Sequence, residues 1–123
     1  MKPATIVSII AGFAATANAG CYSGGEPWGD KATALAKAEQ ACRESLTGTY
    51  GSSGSGNGHR HRCINANNKA LNFEIWHVKG GDRNLALAEC KDGLQKEVNG
   101  CNTGGDTTYT NWRYKGDPNA GNC

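Results

Sequence analysis

The chain has no Cys-x-x-Cys pair, no Gly-x-Ser-x-Gly motif, no Asn-x-Ser/Thr sequon and no apolar run of bilayer-spanning length. Each absence excludes something. Without Cys-x-x-Cys, a thioredoxin motif or a paired-thiolate zinc site has no starting point. Without Gly-x-Ser-x-Gly there is no hydrolase nucleophile elbow, and without a sequon no N-glycosylation is expected. The only apolar run, Ile6 to Phe13, is too short to cross a membrane, so no membrane insertion is expected. A strong charge of one sign is missing as well. Thirteen Lys and Arg stand against eleven Asp and Glu, a formal net charge of +2, of which Lys2 carries one unit. That balance makes no electrostatic case for nucleic acid or an anionic membrane as partner.

What is present begins with a leader. Lys2, the short apolar run and Ala17-Asn18-Ala19 form the three parts of a secretory signal, with cleavage expected after Ala19. Residues 1–19 are thus read as a signal peptide and residues 20–123 as one domain, secreted and extracellular. Six cysteines follow: Cys21, Cys42, Cys63, Cys90, Cys101 and Cys123. An even number in a short exported chain points to an oxidising compartment and three disulfides, with all fifteen pairings open.

The spacing predicts a helix capped by Asp30 and running to about Leu46, with Leu35, Ala38, Cys42 and Leu46 on one face. Residues 47–58 are rich in glycine and serine and read as a loop. A hairpin is expected from strands at His59–Ile64 and Leu71–Ile75, joined by the turn residues Asn65 to Asn68. A second helix is expected over Leu85–Val98, with Leu87, Cys90, Leu94 and Val98 buried. One strand over Thr107–Lys115 and a closing turn at Asp117–Gly121 complete the reading, with a further strand allowed near Cys21–Gly24. The fold class is α+β: a small antiparallel sheet packed with two helices in two or three layers, an αβα-type sandwich stapled by disulfides.

Alternation divides the aromatic residues. Trp112 and Tyr114 belong to the core phase, whereas Trp76 is out of phase with Leu71, Phe73 and Ile75, and Tyr109 with Trp112. Trp76 and Tyr109, beside Asn72, Glu74, Asn111 and Arg113, are expected to form one polar-aromatic surface. Flat rings with polar neighbours suit sugars, whose C–H faces are apolar and whose hydroxyls need donors and acceptors. His59 and His61 share one face of their strand, and His77 or Glu74 would be a third metal ligand. A solvated basic edge strand is the preferred reading, so no metal and no cofactor are expected. An acid–base set can also be drawn from His61, Glu74, Arg62 and His77, as for a small secreted ribonuclease; this is the minor alternative.

The segments Cys21-Tyr22-Ser23-Gly24-Gly25, Trp28-Gly29-Asp30, Ala41-Cys42, Leu46-Thr47-Gly48, Ala88-Glu89-Cys90, Asn99-Gly100-Cys101, Gly104-Gly105 and Asp117-Pro118-Asn119-Ala120-Gly121-Asn122-Cys123 carry a resemblance. The chain resembles the small secreted fungal glycan-binding proteins typified by a mushroom lectin of αβα-sandwich fold. That resemblance implies a secreted, non-enzymatic module whose partner is a glycan or glycoconjugate. It transfers no binding residue and no oligomeric state. The plan of two helices on an antiparallel sheet is also similar to that of the small fungal killer toxins and plant-infection effectors, the second functional reading.

Overall fold

The computed structural model describes residues 20–123, so the signal peptide expected at residues 1–19 lies outside the described residues. Helix α1 spans Lys31–Ala41 and continues as one π-helical turn, Cys42–Leu46. Asp30 starts it as expected: its carboxylate accepts from Ala32 N at 3.3 Å and from Thr33 Oγ1 at 2.7 Å. These bonds satisfy a donor that the helix itself leaves free.

Strands β2 (His59–Ala66) and β3 (Lys69–His77) form the expected hairpin. Its turn is tighter than the sequence suggested. Only Asn67 and Asn68 are unpaired, with φ of 52° and 63°. Two positive-φ residues match the right-handed twist of the flanking strands, and asparagine tolerates that conformation. The loop reading of residues 47–58 needs correction at its start. Gly48–Tyr50 is a short strand, β1, which pairs antiparallel with β4 (Arg83–Leu85). Tyr50 is fully buried there, and its hydroxyl donates to Leu46 O at 2.6 Å.

Helix α2 spans Leu87–Gly100. The single strand expected over Thr107–Lys115 is instead a second hairpin, β5 (Gly105–Thr108) and β6 (Trp112–Ala120). The expected closing turn at Asp117 is also strand, since β6 runs through Pro118. Proline is accommodated because β5 pairs only as far as Gly116; beyond it β6 has one neighbouring strand, and no ladder bond calls on the missing N–H on the other side, where Gly104 packs close to the proline ring. The strand allowed near Cys21 is reduced to one bridge, Cys21 to Gly105.

The four-stranded antiparallel sheet has the order β2-β3-β6-β5. The chain thus folds as two α-β-β halves, α1-β2-β3 and α2-β5-β6, whose last strands meet at the centre. Both helices pack on one face of this sheet and against each other, giving a two-layer α+β domain. Leu71, Phe73 and Ile75 point into that layer from β3, and Trp112 and Tyr114 from β6. Opposite Phe73 stands Gly116, and the space left by its missing side chain holds the Trp28 ring, stacked on Phe73 at 5.9 Å. A Cβ at residue 116 would lie 3.1 Å from that ring.

Three disulfides close the structure: Cys21–Cys101, Cys42–Cys90 and Cys63–Cys123. The first ties the segment before α1 to the end of α2. The second joins the two helices in the core. The third anchors the C-terminal tail on β2, where Cys123 N also donates to Asn65 Oδ1 at 2.7 Å. Such a framework fits an oxidising compartment. No helix among the described residues is long and apolar enough to cross a membrane.

One acid is buried between α2 and the β5–β6 hairpin. Glu97 is 1 % exposed and accepts a hydrogen bond from Thr107 Oγ1 at 2.9 Å. Burial, helped by the nearby Asp106, pushes its pKa up to about 7, against the lowering effect of the Thr107 bond. The fold therefore retains a proton that the unfolded chain has released, so stability falls as pH rises from the ordinary carboxylate range to about 7. Glu97→Gln keeps the acceptor and removes the charge. It should be more stable than the parent by up to about 3 kcal/mol at pH 8 and equal to it near pH 4. Urea unfolding at the two pH values checks this, and a gain that is the same at both would refute it.

Candidate functional site

The face of the sheet turned away from the helices is polar and partly open. Its side chains lie in rows across the strands because register partners stand opposite one another. His59 of β2, Trp76 of β3 and Arg113 of β6 form one row; His61, Glu74 and Lys115 form the next, with Asp106 of β5 beyond Lys115. Four of the six expected binding residues, Asn72, Glu74, Trp76 and Arg113, are therefore brought together here.

Trp76 does not present a free ring on this face. His59 stacks on it at 4.6 Å between centroids and 13° between planes, and the Arg113 guanidinium carbon sits 4.0 Å from its centroid. These neighbours come from the two strands flanking β3, so each side of the indole is occupied. Arg113 is itself clamped by Asp106 through two charge-assisted bonds of 2.8 and 2.6 Å. The stacking role expected of Trp76 is thus taken by the protein's own His59 and Arg113 side chains.

The other two expected residues lie elsewhere. Tyr109 and Asn111 belong to the turn between β5 and β6, closed by the bond from Tyr109 N to Trp112 O at 2.9 Å. Alternation does not pass through a turn, so counting back from Arg113 assigned them to the wrong surface. They line a cleft of about 240 Å³ beside α2, together with Glu89, Asp92, Lys96 and Tyr114. The Tyr109 ring packs edge-on against Tyr114 at 5.9 Å, with Lys96 Nζ 5.0 Å from its centroid. Lys96 in turn pairs with Asp92 at 3.0 Å. Burial raises the Tyr109 pKa, which keeps its hydroxyl protonated and available as a donor. Glu89, Asp92 and Lys96 escaped the sequence reading because they sit on the outer side of α2, where charged residues are ordinary; only the returning turn makes them part of a cleft.

The His59–Arg62 run is also divided. Arg60 and Arg62 point to the helix side. Arg60 donates to Thr47 O and Thr49 O and lies over the Tyr50 ring at 4.5 Å, while Arg62 pairs with Glu44 at 2.6 Å. They fasten β2 to the π-helical turn and β1. His77 is buried under the sheet, its Nδ1–H donating to Gly51 O at 2.8 Å. The acid–base set His61, Glu74, Arg62 and His77 is therefore not assembled: Arg62 and His77 lie on the opposite side of the sheet. For the same reason His77 does not join His59 and His61 as a ligand. Among the described residues, no group of three or more His, Cys, Asp or Glu is placed to hold a metal ion.

The described chain is thus a small α+β domain stapled by three disulfides, with a polar open sheet face and a separate aromatic cleft. No protein-family model matches it, and no curated protein matches its sequence.

Proposed function

We propose that the protein is a secreted carbohydrate-binding module that holds a glycan in the Tyr109–Asn111 cleft without altering it. The observation that carries this reading is the make-up of the cleft. An aromatic ring, an amide, two carboxylates and an ammonium converge on a space of about 240 Å³. A ring supplies the apolar contact for sugar C–H groups, and the polar groups bond to hydroxyls and fix their orientation. The volume suits one terminal sugar unit. The Asp92–Lys96 pair and the Tyr109–Tyr114 packing organise the cleft before a ligand arrives, which lowers the ordering cost of binding.

The test is a glycan array probed with oxidised protein. Saturable binding to one sugar class, blocked by the free sugar, is the expected result. Tyr109→Ala should weaken that binding at least tenfold, about 1.4 kcal/mol. Asn111→Ala should weaken it less. Silence across the array from a folded sample, or undiminished binding by the Tyr109 variant, would refute this assignment.

A further inference from the structure

We propose that the open sheet face is a second, independent site, which cleaves RNA by general acid–base transfer through His59 and His61. Neither histidine serves the cleft or the core. Each spends its Nε2 on an acceptor from β3: His59 on Glu74 Oε1 at 2.9 Å, and His61 on Asn72 Oδ1 at 2.8 Å. These bonds fix both rings with Nε2–H directed at β3, so Nδ1 is the remaining nitrogen of each. No protein group among the described residues bonds to either Nδ1. A base held by a third group through its other nitrogen is an arrangement suited to proton transfer. The Trp76 ring fixes the His59 plane further.

The two histidines are alternate residues on one face of β2, roughly 7 Å apart along the strand. That separation suits an in-line displacement at phosphorus, where base and acid act on opposite sides. Arg113 and Lys115 stand in the same two rows and offer positive charge for the phosphate oxygens. Glu74 accepts from His59 Nε2 on one side and pairs with Lys115 Nζ at 3.5 Å on the other. Asp106 engages Arg113, and Tyr22 lies near Lys115, Asp117, Asp106 and Arg113 at the β5–β6 side. Within the two rows Arg113 and Lys115 are matched in charge by Asp106 and Glu74, so the site rests on the placing of its groups and not on a net positive field.

RNA is the substrate class because it carries its own nucleophile. All six cysteines are bonded, and the one serine or threonine in the two rows, Thr108, stands opposite Arg113 on β5, three strands away from the histidines. In the step, His59 Nδ1 takes the proton of the 2′-hydroxyl as O2′ bonds to phosphorus. The P–O5′ bond breaks, and protonated His61 gives its Nδ1 proton to the departing oxygen. The products are a 2′,3′-cyclic phosphate and a free 5′-hydroxyl. The histidines exchange protonation states and reset through solvent. His59 and His61 are the catalytic residues; Glu74 is a positioning residue.

The experiment uses oxidised protein on a single-stranded RNA oligonucleotide, with DNA of the same sequence alongside and products read by mass spectrometry. Cleavage of RNA alone, ending in the cyclic phosphate, is expected. His59→Ala and His61→Ala should each lose at least about a hundredfold in rate. His59→Gln, which keeps a bond to Glu74 but cannot carry the proton, should behave as His59→Ala does. Glu74→Gln should lower kcat with KM and the urea midpoint unchanged. Intact RNA after incubation with folded protein would overturn the proposal. So would equal cleavage of DNA, or full activity in the His59/His61 double variant.

Discussion

Replacing the Cys42–Cys90 pair by alanines should cost about 5 kcal/mol in a urea unfolding experiment on otherwise oxidised protein. The bridge closes a sequence separation of 48, and the loss of loop-closure restraint in the unfolded chain alone is worth about 4 kcal/mol at that length. Both sulfurs lie in the core where α1 gives way to the π-helical turn and meets α2, so their removal also leaves space that the packed helices cannot close freely. Cys63–Cys123 provides the control. Its separation, 60, predicts nearly the same restraint on entropy alone, but it ends at an exposed chain terminus. If burial matters, the Cys42–Cys90 variant is the weaker of the two by more than about 1 kcal/mol. Equal losses would show that chain restraint accounts for both, and a loss below about 1 kcal/mol would show that the helices hold each other without the bridge.

Gly93→Ala should destabilise the fold by about 3 kcal/mol, the opposite of what helix propensity suggests. In an exposed helix interior the change gains up to about 1 kcal/mol. Here a Cβ would lie 2.2 Å from two atoms of the Tyr114 ring and 2.4 Å from a third. The ring is 4 % exposed, and its hydroxyl donates to Glu89 O at 3.3 Å, so it cannot step aside. Either α2 lifts from the sheet or Tyr114 leaves its place; both open the core and distort the cleft that the ring helps to line. A reciprocal variant separates the causes: Tyr114→Ala should absorb most of the penalty, making the pair of substitutions strongly non-additive. A Gly93→Ala protein as stable as its parent would mean that α2 slides along the sheet at little cost.

Gly93 also shows the limit of local reasoning. By composition it weakens α2, and nothing nearby in sequence compensates. The compensation comes from Tyr114, twenty-one positions later, whose ring the glycine admits. The same holds for Gly116 and Trp28. The hairpin β2–β3 and helix α1 were legible because their signals are local: a capping carboxylate, alternation, and two asparagines able to take positive φ. The β5–β6 hairpin was missed because its turn, Tyr109 to Asn111, contains none of the glycine or proline that usually marks one, and Asp117-Pro118-Asn119 imitates a turn more convincingly than it imitates a strand.

That miss moved the site. Four of the six expected residues share the open sheet face because strand alternation is a local rule. Tyr109 and Asn111 left it because the rule stops where the chain turns. Trp76 was placed on the open face by parity, yet parity says nothing of what stands beside it, and register alone brought His59 and Arg113 to either side of its ring.

By itself, the sequence determined the class of the fold, the number of bridges and the inward or outward sense of most strand residues. These follow from periodicity and from the chemistry of six cysteines in a short chain. Tertiary structure alone decided the disulfide pairing, the placing of both helices on one face, the burial of Glu97 and His77, and the separation of cleft from open face. Each of these depends on which distant residues meet, and burial energy is collected only when they do.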